Sequence, residues 1–316
     1  MSNLKLRNVL SLFDGVAAGK LALERAGVEL DTYYSSEIDE TAIQIAEKNH
    51  DIISLGDVNN WREWNLKNID LIMGGSPCTG FSSSGNQLNF DDPQSKLFFT
   101  MVEIIAHYKP KFFLLENVDM RDEWKDIITH YMGVEPVELC SSLVSAQERP
   151  RVYWANWKID IPVDRKIRLK DILAEDEVLT KPASIRGRKI NPDTGRRDDY
   201  NPDIENVQCI EVKRWTSKMG CLTTVEKDCV LTNLPFGRHL NAYTDFQRGV
   251  DWRYLQPVEA ERLQTFPDGY TDGFNHTVRK TVIGNSWTVD MIAHILSCIY
   301  RKPSVISTKQ TTLSEW

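Results

Sequence analysis

The sequence predicts an α/β fold, a mainly parallel sheet flanked by helices, joined to a second, smaller and loop-rich domain. Three observations lead there. Up to about residue 157, short β-branched or aromatic runs alternate with stretches of helical period, the pattern of βαβ units. The segment Phe13-Asp14-Gly15-Val16-Ala17-Ala18-Gly19 joins the first such run to the first helical stretch through small residues, as a tight strand-to-helix turn requires. From about 160 to 250 the period is lost, and Pro, Gly and charges punctuate short segments.

Strands are expected near Asn8–Phe13, Thr32–Glu37, Ile69–Met73, Phe112–Glu116, Val134–Cys140 and Val152–Asn156, each an apolar or β-branched run. Helices are expected between them at Gly19–Ala26, with Leu21, Leu23 and Ala26 inward, and at Thr41–Asn49, Leu97–His107 and Asp122–Tyr131. Beyond the middle region, Pro257–Gln264 and Thr288–Tyr300 read as helices, the latter apolar on one face through Val289, Ile292, Ile295, Leu296 and Ile299. The expected domains are 1–160 and 161–250, with 251–303 returning to the first domain and a polar tail over 304–316.

At 316 residues and 41% hydrophobic, the chain can bury a full core. No run approaches membrane-spanning length and Met1-Ser2-Asn3-Leu4-Lys5 lacks signal-peptide character, so a soluble, cytoplasmic protein without a membrane partner is expected. Six cysteines at irregular spacings, with no Cys-x-x-Cys, speak against both a disulfide framework and a metal site. A net charge of −7 argues against general avidity for nucleic acid. Any such binding must use a local patch, and Lys181 to Lys218 supplies one with Arg186, Arg188, Lys189, Arg196, Arg197, Lys213 and Arg214.

Several residues carry chemistry. Pro77-Cys78 follows Gly74-Gly75-Ser76, where the apolar run Leu71-Ile72-Met73 stops, and strand ends in an open α/β sheet face the ligand crevice. Glu116 ends a run that should lie beside it, against an apolar wall that favours a neutral, proton-donating carboxyl. Strand alternation puts Arg149 and Arg151 on one side, where two guanidiniums can hold a phosphate or carbonyl and stabilise a thiolate. The first turn offers helix N–H groups to a ligand. Glu37, about 20 residues on, can accept ribose hydroxyls, and Asp57 in Gly56-Asp57-Val58 can accept from an adenine amino group. Taken singly, each has a plainer reading: turn chemistry, a solvated Asp, a strand-end cap for Glu116, a solvated edge for the arginines, a core thiol for Cys78.

Taken in order, the set resembles the cytosine-C5 DNA methyltransferase family. The matching segments are Phe13–Gly19, Glu37, Asp57, Pro77-Cys78, Asp92–Phe99, Glu116-Asn117-Val118, Gln147-x-Arg149-x-Arg151, Glu261-Arg262-Leu263-Gln264-x-Phe266-Pro267 and Gly284-Asn285-Ser286. The resemblance implies a Rossmann-like sheet that binds S-adenosylmethionine and a target-recognition domain over 161–250. It also implies duplex DNA as substrate, with the cytosine flipped out of the stack. Cys78 would then attack C6, Glu116 would hold N3 and the exocyclic amine, and Arg149 and Arg151 would steady the Thr79–Ser95 loop and contact O2. Within that loop, Ser82 and Ser84 would touch phosphate or the surroundings of the extruded base. The cofactor pocket would comprise Phe13, Asp14, Gly15, Val16, Ala17, Glu37, Ile38, Asp57, Val58, Pro77, Leu97, Asn285, Ser286 and Trp287. Arg186, Arg188, Lys213 and Arg214 would read bases in the major groove, and Leu222-Thr223-Thr224 would give backbone support near the target strand.

Two features depart from the usual pattern. Ala17 and Ala18 stand where more glycine is usual, and the last motif continues into Trp287, which would pack on the cofactor. Both resemble the animal de novo methyltransferase subgroup. The short chain, without that subgroup's chromatin-reading domains, suits a bacterial or phage enzyme, which suggests a cognate restriction enzyme as partner. A transfer-RNA cytosine-5 methyltransferase shares the same core and stays open as an alternative. A nicotinamide dehydrogenase would explain only Phe13–Glu37. The recognition sequence and oligomeric state are not legible in the sequence.

Overall fold

The computed structural model describes residues 5–76, 93–173, 179–194, 196–213, 217–240 and 252–300. Pro77, Cys78, Ser82, Ser84 and Arg214 lie outside them. Two compact units emerge: Met1–Cys140 with Pro150–Val163 and Ser286–Trp316, and Ser141–Arg149 with Asp164–Asn285.

The strands of the first unit are β1 (Lys5–Leu12), β2 (Glu29–Ser36), β3 (Ile53–Ser54), β4 (Ile69–Gly75), β5 (Phe112–Val118), β6 (Val137–Cys140) and β7 (Pro150–Ala155). They form one sheet in the order β3-β2-β1-β4-β5-β7-β6. Adjacent strands from β3 through β5 pair parallel, and β7 runs antiparallel to both neighbours. The expected mixed α/β architecture is thus present. Its strands are near-continuous apolar runs: Val9, Leu10 and Leu12, then Leu71 to Met73, then Leu114 and Leu115, all fully buried as a sheet covered on both faces demands. Parallel register gathers the strand ends. Leu12 lies level with Ser36 and Gly74, and Gly75 lies beside Glu116, so the carboxyl ends of β1, β2, β4 and β5 share one edge.

The helices are α1 (Ala18–Arg25), α2 (Glu40–Asn49), α3 (Pro93–Tyr108), α4 (Asp122–Met132), α5 (Pro257–Leu263), α6 (His276–Asn285) and α7 (Val289–Ser297). Asp39 starts α2 by accepting from the Thr41 and Ala42 amides, and Gly133, at φ 67°, ends α4 in the left-handed region glycine favours. The last of these helices, α7, belongs to the first unit, where Asp290 meets Arg25 of α1 at 2.5 Å.

The second unit, rich in loops as expected, is built around a sheet that the sequence pattern does not reveal. It contains a five-stranded sheet of β8 (Lys181–Lys189), β9 (Asn206–Val212), β10 (Val230–Thr232), β11 (Gly237–Leu240) and β12 (Trp252–Tyr254), antiparallel in the order β11-β9-β8-β10-β12. Its core, Ala183, Ile185, Ile210, Val212 and Val230, is drawn from alternations of two or three residues. Pro182 and Gly187 interrupt β8, which leaves too short a pattern to register as a period. Helix α6 escapes the sequence pattern for a similar reason, since Val282, Ile283 and Gly284 are all it buries. Among the described residues, no helix is long and apolar enough to cross a membrane, and no cluster of His, Cys, Asp or Glu could hold a metal ion. The described cysteines are thiols, and burial pushes that of Cys229 up to about 12, which makes it inert.

Candidate active site

Glu116 is 8% exposed at the end of β5. Among the described residues, both of its oxygens meet donors: Arg151 Nε meets Oε1 at 2.9 Å, and the Trp287 indole N–H donates to Oε2 at 3.0 Å. Arg151 reaches it because β7 runs antiparallel beside β5 and sets Arg151 level with Val118. Next in the chain, the buried Asn117 donates from Nδ2 to Ser76 Oγ at 3.1 Å. This ties the end of β5 to the residue that precedes Pro77-Cys78.

The two arginines, expected on one side, have different partners. The strand begins at Pro150, so alternation does not extend back to Arg149. Arg149 is buried in the second unit, where it donates to the carbonyls of Leu222 at 2.7 Å and Gly284 at 3.2 Å and to Cys221 Sγ. Gln147 does similar work there: Nε2 donates to the Leu263 carbonyl and Gln264 Oε1, and Oε1 accepts from the Leu222 amide. The Gln147-x-Arg149-x-Arg151 motif therefore serves two purposes. Its first two members fasten the 221–222 and 263–264 segments and Gly284, and the third meets Glu116.

In the first βα turn, Glu37 accepts from the amides of Gly15, Ile38 and Asp39 at 2.8, 2.8 and 2.9 Å. Phe13 and Ala17 adopt positive φ, and Val16 and Ala17 are fully buried. Asp57 caps the short 3₁₀ turn Val58–Glu63 by accepting from the Asn59 amide, and Val58 is buried. Leu97 of α3 packs against the core, and Ile38 stands 71% exposed. Ser286 is buried and Trp287 half-buried, both in the first unit, whereas Asn285 is an exposed residue of the second.

The Asp14 side chain turns inward. Its Oδ1 accepts from Ser11 Oγ at 2.6 Å and Tyr33 Oη at 2.7 Å, while Oδ2 is buried without a partner. Burial raises this carboxyl from 3.8 to about 6 against the pull of those hydroxyls. Between these values the folded state holds the extra proton. The stability this group provides is therefore full below about pH 4, declines as pH rises through 6, and is level above. In Asp14→Asn that decline, at most about 3 kcal/mol, should disappear. The melting temperature of the variant minus that of the wild type should climb between pH 4 and 6.5 and then flatten. A constant difference would refute this.

In the second unit, Arg188 forks onto both Glu211 oxygens at 2.8 Å and Arg186 pairs with Asp228 at 2.7 Å. Lys213 packs on Gly220, where a Cβ would stand 2.2 Å from its Nζ. The Glu261–Pro267 motif is architectural. Glu261, wholly buried, accepts from the amides of Gly269 and Thr271 and from Arg279, and Arg262 pairs with Asp268. Asn117 and Gln147 lie inside the ordered motifs, so position marks them although their partners are hidden in the sequence. Contact between Trp287 and Glu116 has no signal there at all.

Comparison with known proteins agrees with this arrangement. A profile of the family described as C-5 cytosine-specific DNA methylase matches residues 7–126 and 241–301, more than half the chain. Type II methyltransferase M1.ScrFI of Lactococcus lactis subsp. cremoris is 27% identical over 309 residues, spanning 90% of this chain and 75% of that protein. Type II methyltransferase M.NgoPII of Neisseria gonorrhoeae is 25% identical, over 92% of this chain and 94% of its own. Among solved structures, the Dnmt2 methyltransferase of S. pombe superposes with a TM-score of 0.60 at 18% identity, covering 92% of this chain and 97% of that one, and thus shares the fold. The chain belongs to the C-5 cytosine-specific DNA methylase family and is a DNA (cytosine-5)-methyltransferase.

Proposed function

We propose that the chain methylates C5 of a cytosine flipped out of duplex DNA, with S-adenosylmethionine as donor and Cys78 as covalent nucleophile. The observation that carries this is the Glu116 carboxylate, held by Arg151 and Trp287 beside Gly75, while Asn117 ties down Ser76 two residues before Cys78. Cytosine C5 is a weak nucleophile. A thiolate at C6 forms an S–C bond and pushes the ring electrons toward N3, where Glu116, having first taken up a proton from water, delivers it and returns to carboxylate, leaving an enamine with nucleophilic C5. Arg151, which donates to Glu116, would also be the contact for O2. Once C5 carries the methyl, the C5 proton passes to water, the Cys78 thiolate leaves as the C5–C6 double bond is restored, and the N3 proton returns to Glu116. In a duplex N3 is held in the base pair and the ring faces at C5 and C6 are covered by stacking, hence the flipping.

The first βα turn suits an adenosyl group. Among the described residues nothing lies within 4 Å of where a Gly15 side chain would sit, and Glu37 keeps one of about four acceptor directions for a ribose hydroxyl. Asp57 has its second oxygen for an adenine amine, and Phe13, Ile38, Val58 and Leu97, with Pro77, supply apolar surface. Bound there, S-adenosylmethionine supplies an electrophilic methyl group. Asp14 contributes through its backbone, since its carboxyl is spent inward.

Base reading by the second unit belongs to the same proposal. Arg186 and Arg188 would have to leave Asp228 and Glu211 to reach a base. A cognate restriction enzyme is suggested by the type II names of the relatives. Transfer RNA is not favoured as substrate, because the matching family and these relatives are DNA methylases by description. The test is a duplex library bearing 5-fluorocytosine, incubated with protein and S-adenosylmethionine. Fluorine cannot leave as a proton does, so a denaturant-resistant adduct is expected, and Cys78→Ala should abolish it. No adduct with the wild type, or an adduct with Cys78→Ala, would overturn the mechanism. Faster turnover on transfer RNA than on DNA would overturn the substrate.

A further inference from the structure

Trp287 is placed to do more than cover a cofactor. Its N–H meets Glu116 Oε2 at 3.0 Å, and its ring lies against two glycines. A Cβ on Gly75 would stand 2.7 Å from that same Oε2 and 3.0 Å from the indole nitrogen. A Cβ on Gly19, in the first turn of α1, would stand 3.3 Å from the far edge of the indole and 2.5 Å from Met73 Cε. The bare Cα of Gly75 thus makes the slot in which indole and carboxylate meet, and Gly19 leaves room for the rest of the ring. Residue 287 immediately precedes the Thr288 cap of α7, and the Arg25–Asp290 pair fastens that helix to α1. The indole is therefore carried by an anchored element.

The terminal torsion of a glutamate is soft, so one donor on one oxygen leaves the plane of the carboxylate free to rock. Here each oxygen has its own donor, Arg151 on Oε1 and Trp287 on Oε2, from separate parts of the chain. We propose that Trp287 is a positioning residue for Glu116, its indole N–H setting the plane in which the carboxyl group meets cytosine N3. This rests on the role given to Glu116 under Proposed function.

Trp287→Phe keeps an aromatic side chain but deletes the indole N–H donor. The expected result is a kcat lowered about 10- to 100-fold, the worth of a hydrogen bond to a charged group, with the Kd for S-adenosylmethionine by calorimetry changed less than about two-fold. An unchanged kcat with weakened cofactor binding would overturn the proposal. A second readout needs no turnover. In protein with ¹⁵N-labelled indoles, the Trp287 resonance, identified by its loss in Trp287→Phe, should shift in Glu116→Ala. A resonance that stays put would show no contact and overturn the proposal. Should Glu116→Gln leave kcat unchanged while that resonance still moves, the role of Glu116 is what fails.

Discussion

Glu116→Gln is expected to slow methyl transfer roughly 10²–10⁴-fold, the usual worth of general acid catalysis, with cofactor affinity preserved. The substitution is nearly isosteric, and Glu116 is held in a slot only as wide as Gly75 permits, so the backbone has no cause to move. Chemistry changes in two ways. In the proposed mechanism a carboxamide would have no acidic proton to give N3, and its NH2 end would face either Arg151 or the Trp287 indole, both donors. The charge lost also removes the partner of a guanidinium whose side chain is only 12% exposed. Single-turnover methylation with tritiated donor, read beside calorimetric cofactor binding, checks this. Equal rates would remove Glu116 from the mechanism.

Glu261→Gln is expected to destabilise the second unit by about 3–5 kcal/mol, the cost of breaking a buried ion pair from one side. Its fully buried carboxylate gathers the Gly269 and Thr271 amides, the Thr271 hydroxyl and Arg279. An amide would turn two N–H groups toward donors. The adjacent residue supplies a contrast: Arg262 pairs with Asp268 near the surface, and Arg262→Ala should cost about 1 kcal/mol. Hydrogen exchange across 261–285 reads both without assuming two-state unfolding. Similar protection losses in the two variants would contradict the burial argument.

Much of the fold was legible because burial leaves local traces. The runs ending at Leu12, Met73 and Leu115 are continuous and apolar, and a strand covered on both faces can hardly look otherwise. The second sheet left fainter traces, since β8 buries one face and is broken by Pro182 and Gly187. Motif order pointed to Glu116, Arg149 and Arg151 together, but spacing could not separate the arginines. Where β7 starts decides that, and Pro150 is its first residue.

By itself, then, the sequence determined the mixed sheet, the turn from Phe13 to Gly19 and the family to which the chain belongs, because each is written in contiguous residues. Only the tertiary structure decided which groups hold the carboxylate at the centre of the proposed site. Trp287 and Glu116 lie 171 residues apart, and no periodicity couples positions so distant. Their meeting follows from the sheet order that sets Gly75 beside Glu116 and from the return of α7 to α1, both products of packing across the whole first unit.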